Sequence, residues 1–309
     1  MGFRTRDAPR LLHSGSRSET ERRRSATDDN RFEGGMQASS EVNSAFPAER
    51  SWYAVRTFLW TRAAIWALAL FAALLPTHAR LEREGASPLL HDLGWPIDLW
   101  ARWDSVWYLT IADQGYHGAA ETLAFWPLYP ALVAAVGAVF GGHDLTAGVL
   151  ISLASLLGSM VLLERLGVRL VGGPSARRAV LYLALFPTAF FFGAVYSESL
   201  YLLFALAAFL LAERGRFLPA GVVCGLAILT RVAGVALLPA LAIIAWRSGQ
   251  RRRALLSLSA APLIASIHPL VVHEARGSFD DLFGAQALWQ RHLSPAGPLG
   301  GIEIGRAHV

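Results

Sequence analysis

Leu145-Thr146-Ala147-Gly148-Val149-Leu150-Ile151-Ser152-Leu153-Ala154-Ser155-Leu156-Leu157-Gly158-Ser159-Met160-Val161-Leu162-Leu163 runs without one charged residue. A bilayer core of roughly 30 Å needs about 20 helical residues, so the stretch reads as a transmembrane helix. Similar apolar runs lie on either side, at 52–75, 125–140, 179–195, 200–212, 218–246 and 254–272. The first carries Arg56 and Arg62 near its start, and the 218–246 run is unusually long. The fold class that follows is an all-α integral membrane protein, a bundle of about seven spans over residues 51–302.

Composition agrees. Hydrophobic residues make up 54% of the chain and charged ones 17%, below the usual quarter of a soluble domain. An ordinary soluble enzyme and a disordered chain are both disfavoured, and no short repeat suggests a fibre. All 28 basic residues are Arg, which we read as the codon bias of a high-GC, bacterial genome. A net charge of +5 would suit nucleic acid in a soluble protein. Here the Arg residues lie in the N-terminal tail and between apolar runs, which suits a membrane protein with no nucleic-acid partner. The single cysteine, Cys224, excludes a disulfide framework or a cysteine metal site within the chain.

Residues 1–50 are polar and Arg-rich, with Arg22-Arg23-Arg24 at their centre. They hold too little apolar surface to order themselves, and no apolar segment follows closely enough to make a signal peptide. We expect a disordered cytoplasmic tail, dispensable for insertion and activity; a start codon placed too far upstream is the alternative. Arg bias orients the rest. The tail and residues 247–253 belong in the cytoplasm, which places the 76–124 loop outside, in a bacterial plasma membrane. One conflict follows: Arg165, Arg169, Arg177 and Arg178 would then be external too.

The external loop carries Ala101-Arg102-Trp103-Asp104-Ser105-Val106-Trp107-Tyr108-Leu109-Thr110-Ile111-Ala112-Asp113-Gln114-Gly115-Tyr116. Trp103, Val106, Trp107 and Ile111 recur at helical spacing, with Asp104 and Tyr108 beside the stripe. This predicts an amphipathic helix over 104–114 at the membrane surface, ended by Gly115. Tryptophan suits such an interface. Asp104 would then sit where water meets lipid. On spacing alone an N-cap is the stronger reading of Asp104, and Asp92, Asp98 and Asp113 are equal candidates for chemistry.

Several motifs in order resemble one family. They are Arg102-Trp103-Asp104 with Tyr108 and Gly115-Tyr116; Phe125-Trp126-Pro127-Leu128-Tyr129-Pro130; Phe186-Pro187-Thr188-Ala189-Phe190-Phe191-Phe192 leading into Tyr196-Ser197-Glu198-Ser199-Leu200; Leu229-Thr230-Arg231-Val232-Ala233-Gly234; and Gln286-Ala287-Leu288-Trp289-Gln290-Arg291. Over roughly 52–292 the chain is similar to the GPI mannosyltransferase 2 (PIG-V-like) family, whose bacterial relatives are known as mannosyltransferases. The resemblance implies a GT-C glycosyltransferase. Such an enzyme moves a sugar, usually mannose, from a polyprenyl-phosphate donor to a lipid or glycan acceptor hydroxyl, with a catalytic acid in the first external loop. By motif that acid is Asp104. The resemblance assigns substrate binding to Arg102, Tyr108, Glu198, Arg231, Gln286, Trp289 and Arg291. The chain also lacks a Gly-rich phosphate loop, in keeping with a lipid-linked donor. No resident cofactor is expected; a weakly held divalent cation at Asp104 is the alternative.

The chemistry needs a base for the acceptor hydroxyl and a cation for the departing phosphate. Arg231 interrupts an apolar run, where a charge is costly and functional or paired; its plainer reading is an ion pair with Glu198. Arg291, with Gln286 and His292, follows the last run on the external side. Arg102 adjoins Asp104 and would favour its charged form. Glu198 starts a helix, and the topology above puts it toward the cytoplasm, away from Asp104. Tyr196 and Ser197 read as turn and cap residues. His268 and His273 are awkwardly spaced for two ligands on one helical face, so a zinc site is not expected. Residues 303–309 resemble a translated sequencing adapter, so the natural chain is expected to continue. Two rivals stay open: transfer of a different polyprenyl-linked sugar, and a lipid or solute transporter using Glu198 and Arg231.

Overall fold

The computed structural model describes residues 52–75, 87–249 and 251–289. The tail, Arg291 and the 303–309 end lie outside the described residues. The described residues form helices α1 Trp52–Ala73, α2 Ser105–Gln114, α3 Leu128–Val139, α4 Asp144–Val171 and α5 Gly173–Leu185. They continue with α6 Glu198–Glu213, α7 Phe217–Thr230, α8 Leu237–Arg247, α9 Arg251–Arg276 and α10 Asp280–Leu288. No strand occurs among the described residues, and α1, α4 and α9 are long and apolar enough to cross a membrane. Leu59, Leu68 and Phe71 of α1 and Leu256 and Leu263 of α9 stand exposed, which suits lipid rather than water.

Cross-contacts fix the direction of each helix. The start of α1 meets the end of α4, where Glu164 Oε2 accepts the Ala54 N–H at 3.3 Å. Arg177 of α5 lies over the Tyr53 ring there. Further along α1, Trp66 stacks on Trp100 of the loop at 4.8 Å. The beginning of α6 lies by Ser159 of α4, and its later Leu206 and Leu210 pack on Leu166. Successive helices therefore run between an Arg-rich end and a loop end, in α1, α4, α5, α6, α7, α8 and α9.

Helix α3 does not make such a pass. Its Tyr129 hydroxyl donates to Gly148 O at 3.1 Å and meets Ser152 Oγ at 3.0 Å, both in the first turns of α4. It begins and ends on the loop side, since a Cβ at Gly137 near its end would meet Asp144, the first residue of α4. The 125–140 run is thus a half-helix, not a span. The long 218–246 run is instead two passes, α7 and α8, parted at Arg231, whose backbone is extended (φ −153°, ψ 137°). These two differences offset each other in the count but change the topology. Arg165, Arg169, Arg177 and Arg178 now fall at the end from which α1 starts, so the expected conflict disappears. Glu198 moves to the loop end, opposite to its expected place.

Breaks within the apolar runs have backbone causes. The 179–195 run stops being α-helical at Leu185, just before Phe186-Pro187, because the residue ahead of a proline avoids helical angles. Buried Arg62 donates to the carbonyls of Ala184 at 2.9 Å and Ala189 at 2.8 Å, satisfying acceptors freed by that break. Helix α9 bends at Ser259 and Ser266, each three residues before a proline, Pro262 and Pro269. Each proline removes a donor and crowds the carbonyl one turn earlier.

Helix α7 packs on α9 through Gly221 and Gly225, one turn apart on one face. A Cβ at Gly221 would lie 2.6 Å from the Ser257 carbonyl oxygen; one at Gly225 would lie 2.7 Å from Ile264 Cβ. Gly221→Leu should force the helices apart and cost about 1–3 kcal/mol, as overpacking does. A lowered thermal midpoint in detergent checks this, while Gly249→Ala, with open space around its Cβ position, should leave it unchanged.

Candidate active site

The loop end is held to the bundle by carboxylates. Asp92 accepts from Thr146 N–H at 3.0 Å and Thr146 Oγ1 at 2.7 Å and pairs with His143, fastening the loop to the first turn of α4. Burial alone would raise the Asp92 carboxyl, but the Thr146 and His143 bonds outweigh it and hold it below its ordinary value. Asp98 accepts the Asp92 N–H at 2.9 Å and meets His91 at 3.2 Å. Asp113 is exposed beside Gln114. Asp92 and Asp98 therefore hold the loop's shape, whereas Asp104 is half-buried at the start of α2.

Asp104 stands at the cap position of α2, yet its side chain makes no cap hydrogen bond. The chain enters it through Trp103, which has φ 49° and is the only non-glycine residue with positive φ among those described. Such a conformation is strained and persists only where surroundings impose it. Here the Tyr196 hydroxyl imposes it, accepting the Asp104 N–H and donating to the Arg102 carbonyl, both at 3.1 Å. Burial pushes the Tyr196 phenol up to about 12, so the hydroxyl keeps its proton in this latch. Trp103 itself packs on the rings of Phe190 and Phe191.

The buried face of α2 is not the expected Trp103/Val106/Trp107/Ile111 stripe. Ser105, Tyr108, Leu109 and Ile111 are buried, while Trp103 is exposed and precedes the helix. The helix is tucked against the bundle, so its inner face is set by protein contacts and not by a lipid surface. Tyr108 is central to that face. Its ring meets Phe125, Tyr129 and Tyr196 edge-on, and its hydroxyl bonds Ser197 Oγ at 2.7 Å.

Ser197 links Tyr108 to the second half of the site. Arg231 Nη1 donates to Ser197 Oγ at 3.2 Å and pairs with Glu198 Oε1 at 2.6 Å. The other Glu198 oxygen, Oε2, is buried and has no hydrogen-bond partner among the described residues. Arg231 reaches this point because α7 ends there and the chain turns back tightly: a Cβ at Gly234 would lie 2.6 Å from the Ile228 nitrogen. The charge of Asp104 acts on both Glu198 and Arg231. Tyr196, Ser197 and Glu198 thus enter the site as one segment, whereas the sequence offered Tyr196 and Ser197 only as turn and cap. The sequence signal was their place between an aromatic run and an apolar helix.

Two walls complete the site. An apolar groove of about 280 Å³ runs past Ile65, Leu68 and Ala69 of α1 and Phe190 and Phe191, with Arg102, Trp103 and Tyr196 at its polar end. On the other side, Trp289 sits after α10 against Trp107 at 5.8 Å and Phe125 at 5.7 Å, its indole N–H donating to Glu121 O at 3.2 Å. Gln286 lies on α10; its side chain, like Arg291, falls outside what is described. His268 is buried against Trp126, and no cluster of His, Cys, Asp or Glu fit for a metal occurs among the described residues.

No curated protein and no solved structure matches the chain. A family model described as mannosyltransferase (PIG-V) matches residues 80–249, a stretch that contains the loop latch, Asp104, Glu198 and Arg231. That match spans more than half of the chain, which therefore belongs to the PIG-V mannosyltransferase family and is a membrane glycosyltransferase.

Proposed function

We propose that the protein transfers mannose from a polyprenyl-phosphate donor to a hydroxyl of a lipid- or glycan-linked acceptor, inverting the anomeric centre. Asp104 takes the acceptor's proton as the new glycosidic bond forms. The bond to the donor phosphate breaks on the opposite face, and the departing phosphate keeps the electron pair. Arg231 offers its guanidinium to that growing charge, and Arg102 meets the same phosphate from the groove. The groove takes the first isoprene units, and Trp289 with Trp107 walls the sugar. Tyr108 and Glu198 position Arg231 through Ser197 and the ion pair. Gln286 and Arg291 belong to the acceptor side. The mechanism needs no resident cofactor.

The observation that carries this reading is that Tyr196 holds the Asp104 backbone and leads directly into the Ser197–Glu198–Arg231 cluster, beside an apolar groove lined by Arg102 and Tyr196. The Arg-rich end is placed in the cytoplasm by its charge, which puts the site on the external side. The experiment is incubation of membranes holding the full-length protein with labelled polyprenyl-phosphate mannose. Label should move to an acceptor with inverted configuration. Transfer from a nucleotide-linked mannose and none from the lipid-linked one would overturn the reading.

A further inference from the structure

A cavity of about 700 Å³ lies at the opposite end of the bundle from the site. It opens between the α6–α7 turn and the α8–α9 turn and is lined by Arg216, Phe217, Leu218, Pro219, Arg253 and Ala254. Arg216 and Arg253 are exposed and make no ion pair with any described residue. Arg214, Arg247, Arg251 and Arg252 flank them, with Glu213 the single acid in these two turns. Uncompensated cations around a hollow of this size make a seat for an anion.

We propose that this cavity binds the headgroup of an anionic phospholipid, a phosphodiester on glycerol. The shared chemistry is a phosphate between Arg216 and Arg253, and three features favour a lipid over a soluble phosphate. Phe217, Leu218 and Pro219 form an apolar wall, as an acyl chain requires and a free phosphate does not. Leu218 and Trp246 are exposed on the surface beside it. The Arg251 guanidinium lies 5.2 Å from the Trp246 ring centroid, an aromatic–cation pairing of the kind found at headgroup depth. Arg-lined pockets between helices at a positively charged membrane face are suited to anionic lipids. Because α7 leads from this cavity to Arg231, an occupied cavity would also hold the α7–α9 pair in register.

Native mass spectrometry of the full chain in a neutral detergent tests this, with phosphatidylglycerol, phosphatidylcholine and glycerol 1-phosphate as separate probes. Phosphatidylglycerol should bind at a discrete stoichiometry, phosphatidylcholine should not, and glycerol 1-phosphate should bind far more weakly. Arg216→Gln/Arg253→Gln should lower phosphatidylglycerol affinity about 25-fold, near fivefold per arginine. Arg169→Gln/Arg178→Gln removes equal charge from the same end and should change it less than about twofold. An unaltered thermal midpoint in phosphatidylcholine shows that each variant is folded; if the cavity double variant fails this, Arg253→Gln alone carries the comparison. Equal losses in both variants, or no discrete phosphatidylglycerol adduct, would refute the site. Glycerol 1-phosphate binding as tightly as the lipid would show a soluble anion site and refute the lipid.

Discussion

Asp104→Asn is expected to lower mannosyl transfer by roughly 10²-fold or more, the usual size of a general-base contribution. Asparagine keeps the volume of the side chain and leaves the backbone N–H on the Tyr196 hydroxyl, so the latch at Arg102 and Trp103 survives. What disappears is the negative oxygen that accepts the proton. The donor should still bind, because the groove and Arg231 are untouched; kcat falls while KM for the donor stays within a small factor. Asp113→Asn is the better control among the loop acids, since Asp113 is exposed and distant from the latch. Asp98→Asn is a poorer one: Asp98 is buried and accepts the Asp92 N–H, so its loss disturbs the loop. An Asp104→Asn enzyme with near-normal activity beside a dead Glu198→Gln would move the base to Glu198.

How much of this could be read beforehand differs by element, for physical reasons. The α2 helix and its end at Gly115 were visible because helical spacing and glycine punctuation are local signals. Its buried face was not. Trp103, Val106, Trp107 and Ile111 were expected to form the apolar stripe of a helix at the membrane surface, but the direction of burial is decided by what surrounds a helix. Here Phe125, Tyr129 and Tyr196 enclose Tyr108 from three other segments. The 125–140 run looked like a span because hydropathy cannot distinguish a half-helix buried in protein from one that crosses lipid. That same run inverted the expected position of Glu198, since each segment up to the split 218–246 run inherits the error. The split at Arg231 was hinted at by a charge and Gly234 within one apolar run. Its extended backbone is a tertiary feature, held by the return of the chain against α7. Asp104 itself was a cap by spacing alone and a base only through resemblance; the structure adds that its carboxylate makes no cap bond.

Arg231→Gln is expected to be nearly as damaging as the loss of Asp104, and the pattern of rescue shows why. The glutamine amide ends two bonds short of the guanidinium Nη1, so the bond to Ser197 Oγ is lost with the charge, while the Tyr108–Ser197 bond, which does not involve Arg231, persists. The charge that meets the departing phosphate is gone, and removal of one such donor costs about 10²–10³ in kcat. Arg231 is also the ion-pair partner of Glu198, so its removal leaves a carboxylate whose second oxygen is already buried without a partner among the described residues. A purely structural fault would therefore appear as instability, and Glu198→Gln/Arg231→Gln should relieve it by removing both charges together. If Arg231 acts on phosphate, that double variant regains its thermal midpoint but not its activity. Arg231→Lys restores part of the rate through charge alone, though it lacks the planar fork. Glu198→Gln keeps the guanidinium and should retain activity within about tenfold, with the larger change in KM for the donor. Recovery of both stability and transfer in the double variant would make the pair a structural brace, and the phosphate would then have to be met by Arg102 from the groove.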